Sequence, residues 1–404
     1  MTARPGFGGS RQSGRAYSDE DVPNLHGKIA LLTGATAGAS LHVAKVLASK
    51  GARVLLLARR EDNPDAALED IRQHCFEHDH SLNPDPDLAF VKCDLANLED
   101  VKRVADDLCE REIRLDIVVC DAGLGVQTFD VSVDGIDRHF AVSHLGHFLL
   151  INRLLPLLRR TAYAPPPAST SPSASPSSGA APRIICVSSA LRAAAPSNAS
   201  FLSHAELTAE SDAASSPLAL YARAKLAAVL FVKFGLAPRM NAPAPPPCSS
   251  DVQASAGDSP RMHSDRPRAI LALATDPGPV HPGQPAQLAQ AYGPLLGSAA
   301  KLVAAPFERT PVDAARSTLW AATAPELEQD WERWQGAYVT VPGQEDAGCA
   351  MARDETRGAR LWAMSEDLVR KRLGEDALQP WTWRGDEDEG EAYATPGQGR
   401  WLSP

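Results

Sequence analysis

Tyr221 and Lys225 stand four positions apart in Tyr-Ala-Arg-Ala-Lys, at the head of the apolar run Leu226-Ala-Ala-Val-Leu-Phe231. On a helix, positions i and i+4 share a face, so a phenol hydroxyl and an ammonium can act on one substrate atom. The cation lowers the phenol pKa from its free value of about 10. That makes the hydroxyl an acid or base usable near neutral pH. Far upstream, the turn Thr33-Gly34-Ala35-Thr36-Ala37-Gly38-Ala39-Ser40 follows the apolar run Ile29-Ala-Leu-Leu32, and Ser188-Ser189 follows another such run between the two motifs. In this order the three features point to hydride transfer with a nicotinamide cofactor.

The elements needed to hold these residues are legible in the pattern. Apolar runs predict strands at Lys28 to Thr33, Arg53 to Ala58, Leu88 to Val91, Leu115 to Cys120, Arg183 to Val187, Ala269 to Ala274 and Gly336 to Pro342. Helices are expected at Gly38 to Lys50, Asp65 to His78, Leu98 to Arg111, within Val131 to Arg160, and at Leu218 to Phe234. Further helices are expected at Ala286 to Ala304, Pro311 to Thr323 and Glu355 to Leu373. Strands alternating with helices predict an α/β fold, a Rossmann-type doubly wound parallel sheet of about seven strands with helices on both faces. Such sheets bind ligands beyond the carboxyl ends of their strands.

Composition sets the limits. The chain has 404 residues, 44% of them apolar, with 33 prolines, 28 glycines and a formal net charge of -10. That apolar share suffices for a sizeable core, and the negative charge argues against nucleic acid as the main partner. The seven cysteines lack CxxC pairing, which suits free thiols in a reducing, cytoplasmic setting. No apolar run approaches the length of a transmembrane span, so no transmembrane segment is expected. Residues 1–25 are expected to be disordered, and residues 26–374 to form one domain. Low-complexity insertions rich in Pro, Ser and Ala fall at 163–182 and 237–268, and an acidic flexible tail at 385–404.

Taken together these segments resemble the short-chain dehydrogenase/reductase family, most nearly its retinol-dehydrogenase-like and fungal reductase branch. The likeness rests on the glycine turn, Cys93-Asp94-Leu95, Asp121-Ala122-Gly123, His144-Leu-Gly-His147, Val187-Ser188-Ser189, the Tyr221/Lys225 pair and Asp276-Pro277-Gly278. The resemblance implies Ser189, Tyr221, Lys225 and Ser143 as catalytic residues, with Ser143 where the family has an asparagine that steadies a relay water. It implies an NADP(H) site made of Thr33, Gly34, Thr36, Gly38, Arg59, Arg60, Asp94, Leu95, Asp121, Ala122, Gly123, Pro277, Gly278 and Val280, together with Tyr221 and Lys225. Arg60 matches the arginine that accommodates the 2′-phosphate in NADP-preferring relatives. His144 and His147 recur in the branch without a metal, so no metal is expected.

Ser40 stands where the family has a third glycine, Asp121 where it has asparagine, and Asp276 where the branch has histidine. Two functions stay open. One is an NADP-dependent reductase or dehydrogenase of a carbonyl or secondary alcohol on a lipophilic small molecule, such as a secondary metabolite, steroid or retinoid. The other is a catalytically impaired nucleotide-binding regulator or scaffold. A homodimer is compatible with the resemblance.

Overall fold

The structure is a computed structural model that describes residues 17–78, 85–164, 181–208, 216–240, 270–278 and 309–381. The helix expected at 286–304, Val280, the acidic tail and most of both insertions lie outside the described residues. Eight strands form one sheet: β1 Ile29–Thr33, β2 Arg53–Ala58, β3 Leu88–Lys92, β4 Ile117–Cys120, β5 Arg183–Val187, β6 Leu271–Thr275, β7 Tyr338–Val341 and β8 Gln344–Glu345. Their order is 3-2-1-4-5-6-7-8. The first seven are parallel and β8 returns antiparallel. The expected seven strands thus gain a polar two-residue edge strand. It follows a turn at Gly343, whose φ is +74°, and has no apolar alternation to announce it.

Helices cover both faces, which is why β1, β4, β5 and β6 are buried along their whole length and built from apolar residues with little alternation. One face carries α1 Gly38–Ser49, α2 Pro64–His78 and α6 Pro311–Thr323, packed over a core that includes Leu47, Ile71 and Trp320. The other carries α3 Leu98–Arg111, α4 Arg138–Tyr163, α5 Pro217–Leu230 and α7 Glu355–Leu373. There Phe148, Trp362 and Trp381 meet with ring centroids 4.6–5.2 Å apart.

The long helix α4 starts within the expected span, runs three residues past its expected end, to Tyr163, and departs from expectation in its winding. It begins at Arg138, because Ser132 to Ile136 forms a turn with Gly135 at φ +74° and Asp137 then caps His139 N–H at 3.2 Å. Between Ala141 and Leu145 it widens into a π turn, a winding often found at functional sites. This helix is apolar and long enough to cross a membrane, but 83% of its apolar window is buried inside the fold, the state of a core helix.

Helix α5 is anchored by a buried ion pair. Arg223 Nη2 lies 2.9 Å from Asp137 Oδ2, with the two side chains 4% and 0% exposed. Arg223 sits between Tyr221 and Lys225, so this pair fixes the rotation of the helix that carries both. Cys75, Cys93, Cys120 and Cys186 are buried free thiols, and Cys109 and Cys349 are partly buried ones.

Candidate functional site

The sheet reverses its winding between β1 and β4, and the chain leaves both strands there. Gly34 follows β1 at φ +69°, and a Cβ on it would lie 2.6 Å from Ala122 Cα. Only glycine fits so close a backbone approach. Gly38 opens α1 at φ +63° with nothing within 4 Å of where its Cβ would be. Its N-cap, Ala37, has no side chain to bond the first N–H groups, so the helix start can receive an anion.

Thr33 ties this junction together. Its hydroxyl accepts from Asp121 N–H and Ala122 N–H, each at 3.0 Å, and lies 2.8 Å from His147 Nε2. His147 Nδ1 is 3.2 Å from the Ser143 carbonyl, which can only accept, so Nδ1 carries the proton and Nε2 accepts from Thr33. Burial pushes the His147 pKa down to about 4, which keeps the ring in that neutral form. His144 points elsewhere, with Nε2 2.8 Å from Ser365 Oγ, and burial pushes its pKa down to about 3. Among the described residues no group of three His, Cys, Asp or Glu side chains is placed to hold a metal ion.

A cleft of about 300 Å³ opens at this switch point. Its walls include Gly34, Thr36, Arg59, Asp94, Leu95, Asp121, Ala122 and Gly123, all expected from sequence, and also Asp62, Cys93, Leu124 and Val142. Of the two arginines, Arg59 forms the wall. Its guanidinium grips Asp62 through Nε at 3.1 Å and Nη2 at 2.6 Å. Arg60 is exposed, paired with Asp65 at 3.1 Å and placed over the Phe90 ring at 5.3 Å. Asp94 holds its own turn by accepting from Ala96 N–H at 2.9 Å.

At its Gly123 end the cleft approaches two of the four expected catalytic residues, Ser143 and Lys225. A Cβ on Gly123 would stand 2.9 Å from Ser143 Oγ and 3.7 Å from Lys225 Nζ. Ser143 reaches this point from the π turn of α4. Lys225 Nζ donates to the Val187 carbonyl at 3.0 Å and lies 5.9 Å from the Tyr221 ring centroid. Ser188 bonds the Lys225 carbonyl at 2.8 Å, locking α5 to the end of β5. Next to it, Ser189 Oγ accepts from Leu191 N–H at 3.2 Å, so its own O–H remains a donor. Pro277 and Gly278 follow β6, with Gly278 at φ +77° and the Pro277 carbonyl 3.3 Å from Arg309 Nη1.

Two departures from the family pattern prove to be partners. The Ser40 hydroxyl donates to Asp121 Oδ2, so the serine in the third-glycine position meets the carboxyl in the asparagine position. Desolvation raises the Asp121 pKa, against the lowering pull of Lys225 and the Ser40 bond. Sequence reading missed this pairing, the Thr33–His147 link and the Asp62 contact, since each joins residues on separate elements or depends on a rotamer. The only signal available was that the unusual residues were all polar.

Comparison with known proteins follows the same lines. The short chain dehydrogenase family profile matches residues 28–164. The short chain dehydrogenase/reductase dpchH of Colletotrichum higginsianum is 28% identical over 366 residues, covering 88% of this chain and 78% of its own. Retinol dehydrogenase 14 of Homo sapiens is 28% identical over 351 residues, covering 85% of this chain and 87% of its own. A crystal structure of an uncharacterized protein from Mycobacterium paratuberculosis superposes with a TM-score of 0.55 at 22% identity, covering 88% of this chain and 97% of that one, which bears on the fold. The fold is thus a doubly wound α/β sheet, and the relatives point to an oxidoreductase. The family profile and these relatives support a likeness to the short-chain dehydrogenases/reductases, in their retinol-dehydrogenase-like and fungal branch.

Asp121 gives a pH-dependent prediction. A raised carboxyl pKa costs stability once the group ionises, so the penalty is absent below the ordinary value of about 3.9 and complete above the raised one. Asp121→Asn keeps an acceptor for Ser40 and removes that penalty. Melting temperature should therefore rise relative to wild type at pH 8, and the gain should vanish as the pH is lowered towards 4. A gain that stays constant with pH, or a loss at pH 8, would contradict the shift.

Proposed function

We propose that this chain is an NADP(H)-dependent oxidoreductase that moves a hydride between the nicotinamide and a carbonyl or secondary alcohol carbon of a lipophilic small molecule. The observation that carries the reading is the convergence of Lys225 Nζ and Ser143 Oγ on Gly123, at the end of a cleft walled by the glycine turn. The residues fit a dinucleotide. Gly34 admits close backbone approach, α1 begins without a capping side chain, and Asp94 and Leu95 line the far wall. When bound, the cofactor supplies or accepts the hydride.

The chain's own residues handle the proton and the orientation. Tyr221 gives its phenolic proton to the developing alkoxide, or takes one in the reverse direction. Lys225, held by Val187, keeps a positive charge near the phenol. Ser189 donates its free O–H to the substrate oxygen and fixes its position. Ser143 holds a water towards Lys225. The relative named retinol dehydrogenase 14 supports a lipophilic substrate.

Cofactor choice rests on Arg59 and Arg60. Arg59 is the cation on the cleft wall, and releasing it from Asp62 would let it meet a 2′-phosphate as a charge-assisted pair. A second reading is favoured by Asp62 itself, which lines the same wall and would accept from the 2′-hydroxyl of NAD.

Tyr221→Phe should lower kcat at least about a hundredfold against a ketone panel, with NADPH affinity near wild type. Activity close to wild type would remove Tyr221 from the reaction. Arg59→Ala should weaken NADPH binding by about 1.5–3 kcal/mol and leave NADH binding nearly unchanged, while Arg60→Ala has the smaller effect. Equal losses for both cofactors would favour the NAD reading. Wild-type protein that binds NADPH and turns over nothing would favour a nucleotide-binding regulator.

A further inference from the structure

A cluster of buried polar side chains lies outside the cleft and takes no part in the proton chemistry. Arg192, Asp276 and Tyr338 are 5%, 3% and 3% exposed. Arg192 stands three residues after Ser189 on the short 3₁₀ helix Ala190–Ala194, Asp276 leaves the end of β6, and Tyr338 opens β7. Nothing in sequence spacing joins them. Asp276 is also the residue that replaces the branch's histidine before Pro277-Gly278.

Their hydrogen bonds run as one chain between two loops. Arg192 Nη1 donates to the Ser189 carbonyl at 3.1 Å and to Tyr338 Oη at 2.5 Å. Tyr338 Oη donates to Asp276 Oδ2 at 2.8 Å. Asp276 Oδ1 in turn accepts from Gly278 N–H at 2.7 Å. The Arg192 guanidinium carbon also lies 3.9 Å over the Tyr338 ring, and Arg192 Nη1 stands 3.9 Å from Asp276 Oδ2. Both ends of the chain are main-chain groups: the carbonyl of Ser189 and the amide of Gly278. Asp276 is further fixed through its own backbone, accepting from Ser317 Oγ at 3.0 Å and donating to the Val339 carbonyl at 3.0 Å.

We propose that Arg192, Tyr338 and Asp276 form a latch that holds the Ser189 turn at a fixed distance from the Pro277-Gly278 loop, so that all three are positioning residues for hydride transfer. This rests on the roles given above to Ser189 and to the loop after β6. A buried arginine needs a counter-charge, and Asp276 supplies one at the cost of taking its own carboxylate out of water. A pair kept only for stability would need neither the Tyr338 bridge nor bonds to the backbone of two loops. With a tyrosine hydroxyl between the charges, moving either loop breaks a bond at the other. The geometry of the reacting carbon and its oxygen is sensitive to small displacements, and the latch removes that freedom.

The test uses full-length protein with NADPH. Tyr338→Phe keeps the ring beneath Arg192 and deletes the bridging hydroxyl. Expected is a fall in kcat of at least about tenfold with KM for NADPH unchanged. The fluorescence of bound NADPH, which reports restraint of the nicotinamide, should also drop towards the free value, while affinity for adenosine 2′,5′-bisphosphate stays at wild type. Arg192→Lys keeps the charge but loses the planar guanidinium that lies over the Tyr338 ring, and should act in the same direction. It also stands in if Tyr338→Phe folds poorly. The double variant should lose little more than the worse single one. The latch is overturned if both variants lose melting temperature alone, with kcat and bound NADPH fluorescence per folded molecule unchanged. A wild-type protein that binds NADPH but reduces nothing would instead overturn the proposed function, and the fluorescence comparison would still decide the latch.

Discussion

The Thr33 hydroxyl is the point on which the cleft depends. It accepts two backbone N–H groups from the exit of β4 and donates to a neutral His147. One side chain thus joins the ends of β1 and β4 to the long helix α4, at the place where the sheet reverses its winding. Without that acceptor, the partly buried amides of Asp121 and Ala122 would lose their partner, at a cost of up to about 1–3 kcal/mol for each group left unsatisfied. The backbone of Ala122 would then be free to move against Gly34, which it touches so closely that no side chain fits between them. The same link reaches the Ser143 end of the cleft, since the His147 ring that accepts from Thr33 donates to the carbonyl of Ser143.

Charge is managed by neutral histidines and shared cations. Lys225, Arg192, Arg223 and Arg183 are all nearly buried, and each is held by carbonyls or by a specific carboxylate. Asp137 serves Arg223, Glu328 serves Arg183, and the Val187 carbonyl holds Lys225. His144 and His147 carry no charge at neutral pH because burial disfavours their cationic forms. An uncharged His147 places no second cation near Lys225, whose own charge already lowers the ring's pKa.

Much of this was legible in the sequence, for a local reason. Each strand of a parallel sheet is apolar in itself, and Arg53–Ala58, Arg183–Val187, Leu98–Arg111 and Glu355–Leu373 fall where periodicity and capping place them. Glycine positions were legible because φ and close approach are properties of one residue. Three things were not. The π turn beneath Ser143 is a matter of winding, which residue type does not encode. The exchange of Arg59 for Arg60 on the cleft wall depends on a rotamer and on Asp62. The Ser40–Asp121 bond spans 81 positions, and no single-sequence pattern links two such residues. Read one at a time they look like losses, whereas in the structure they meet each other.

The dependence of the cleft on one hydroxyl is open to direct measurement. Thr33→Val preserves shape and β-branching while removing the acceptor for both amides and the donor to His147. NADPH titration, followed by fluorescence well below the melting transition, compares it with wild type. If the hydroxyl sets the position of the β4 exit, affinity should fall at least about tenfold, about 1.4 kcal/mol, in protein that remains folded. Unchanged affinity in a folded Thr33→Val protein would show that the β4 exit is held by other means and would contradict this account of the site.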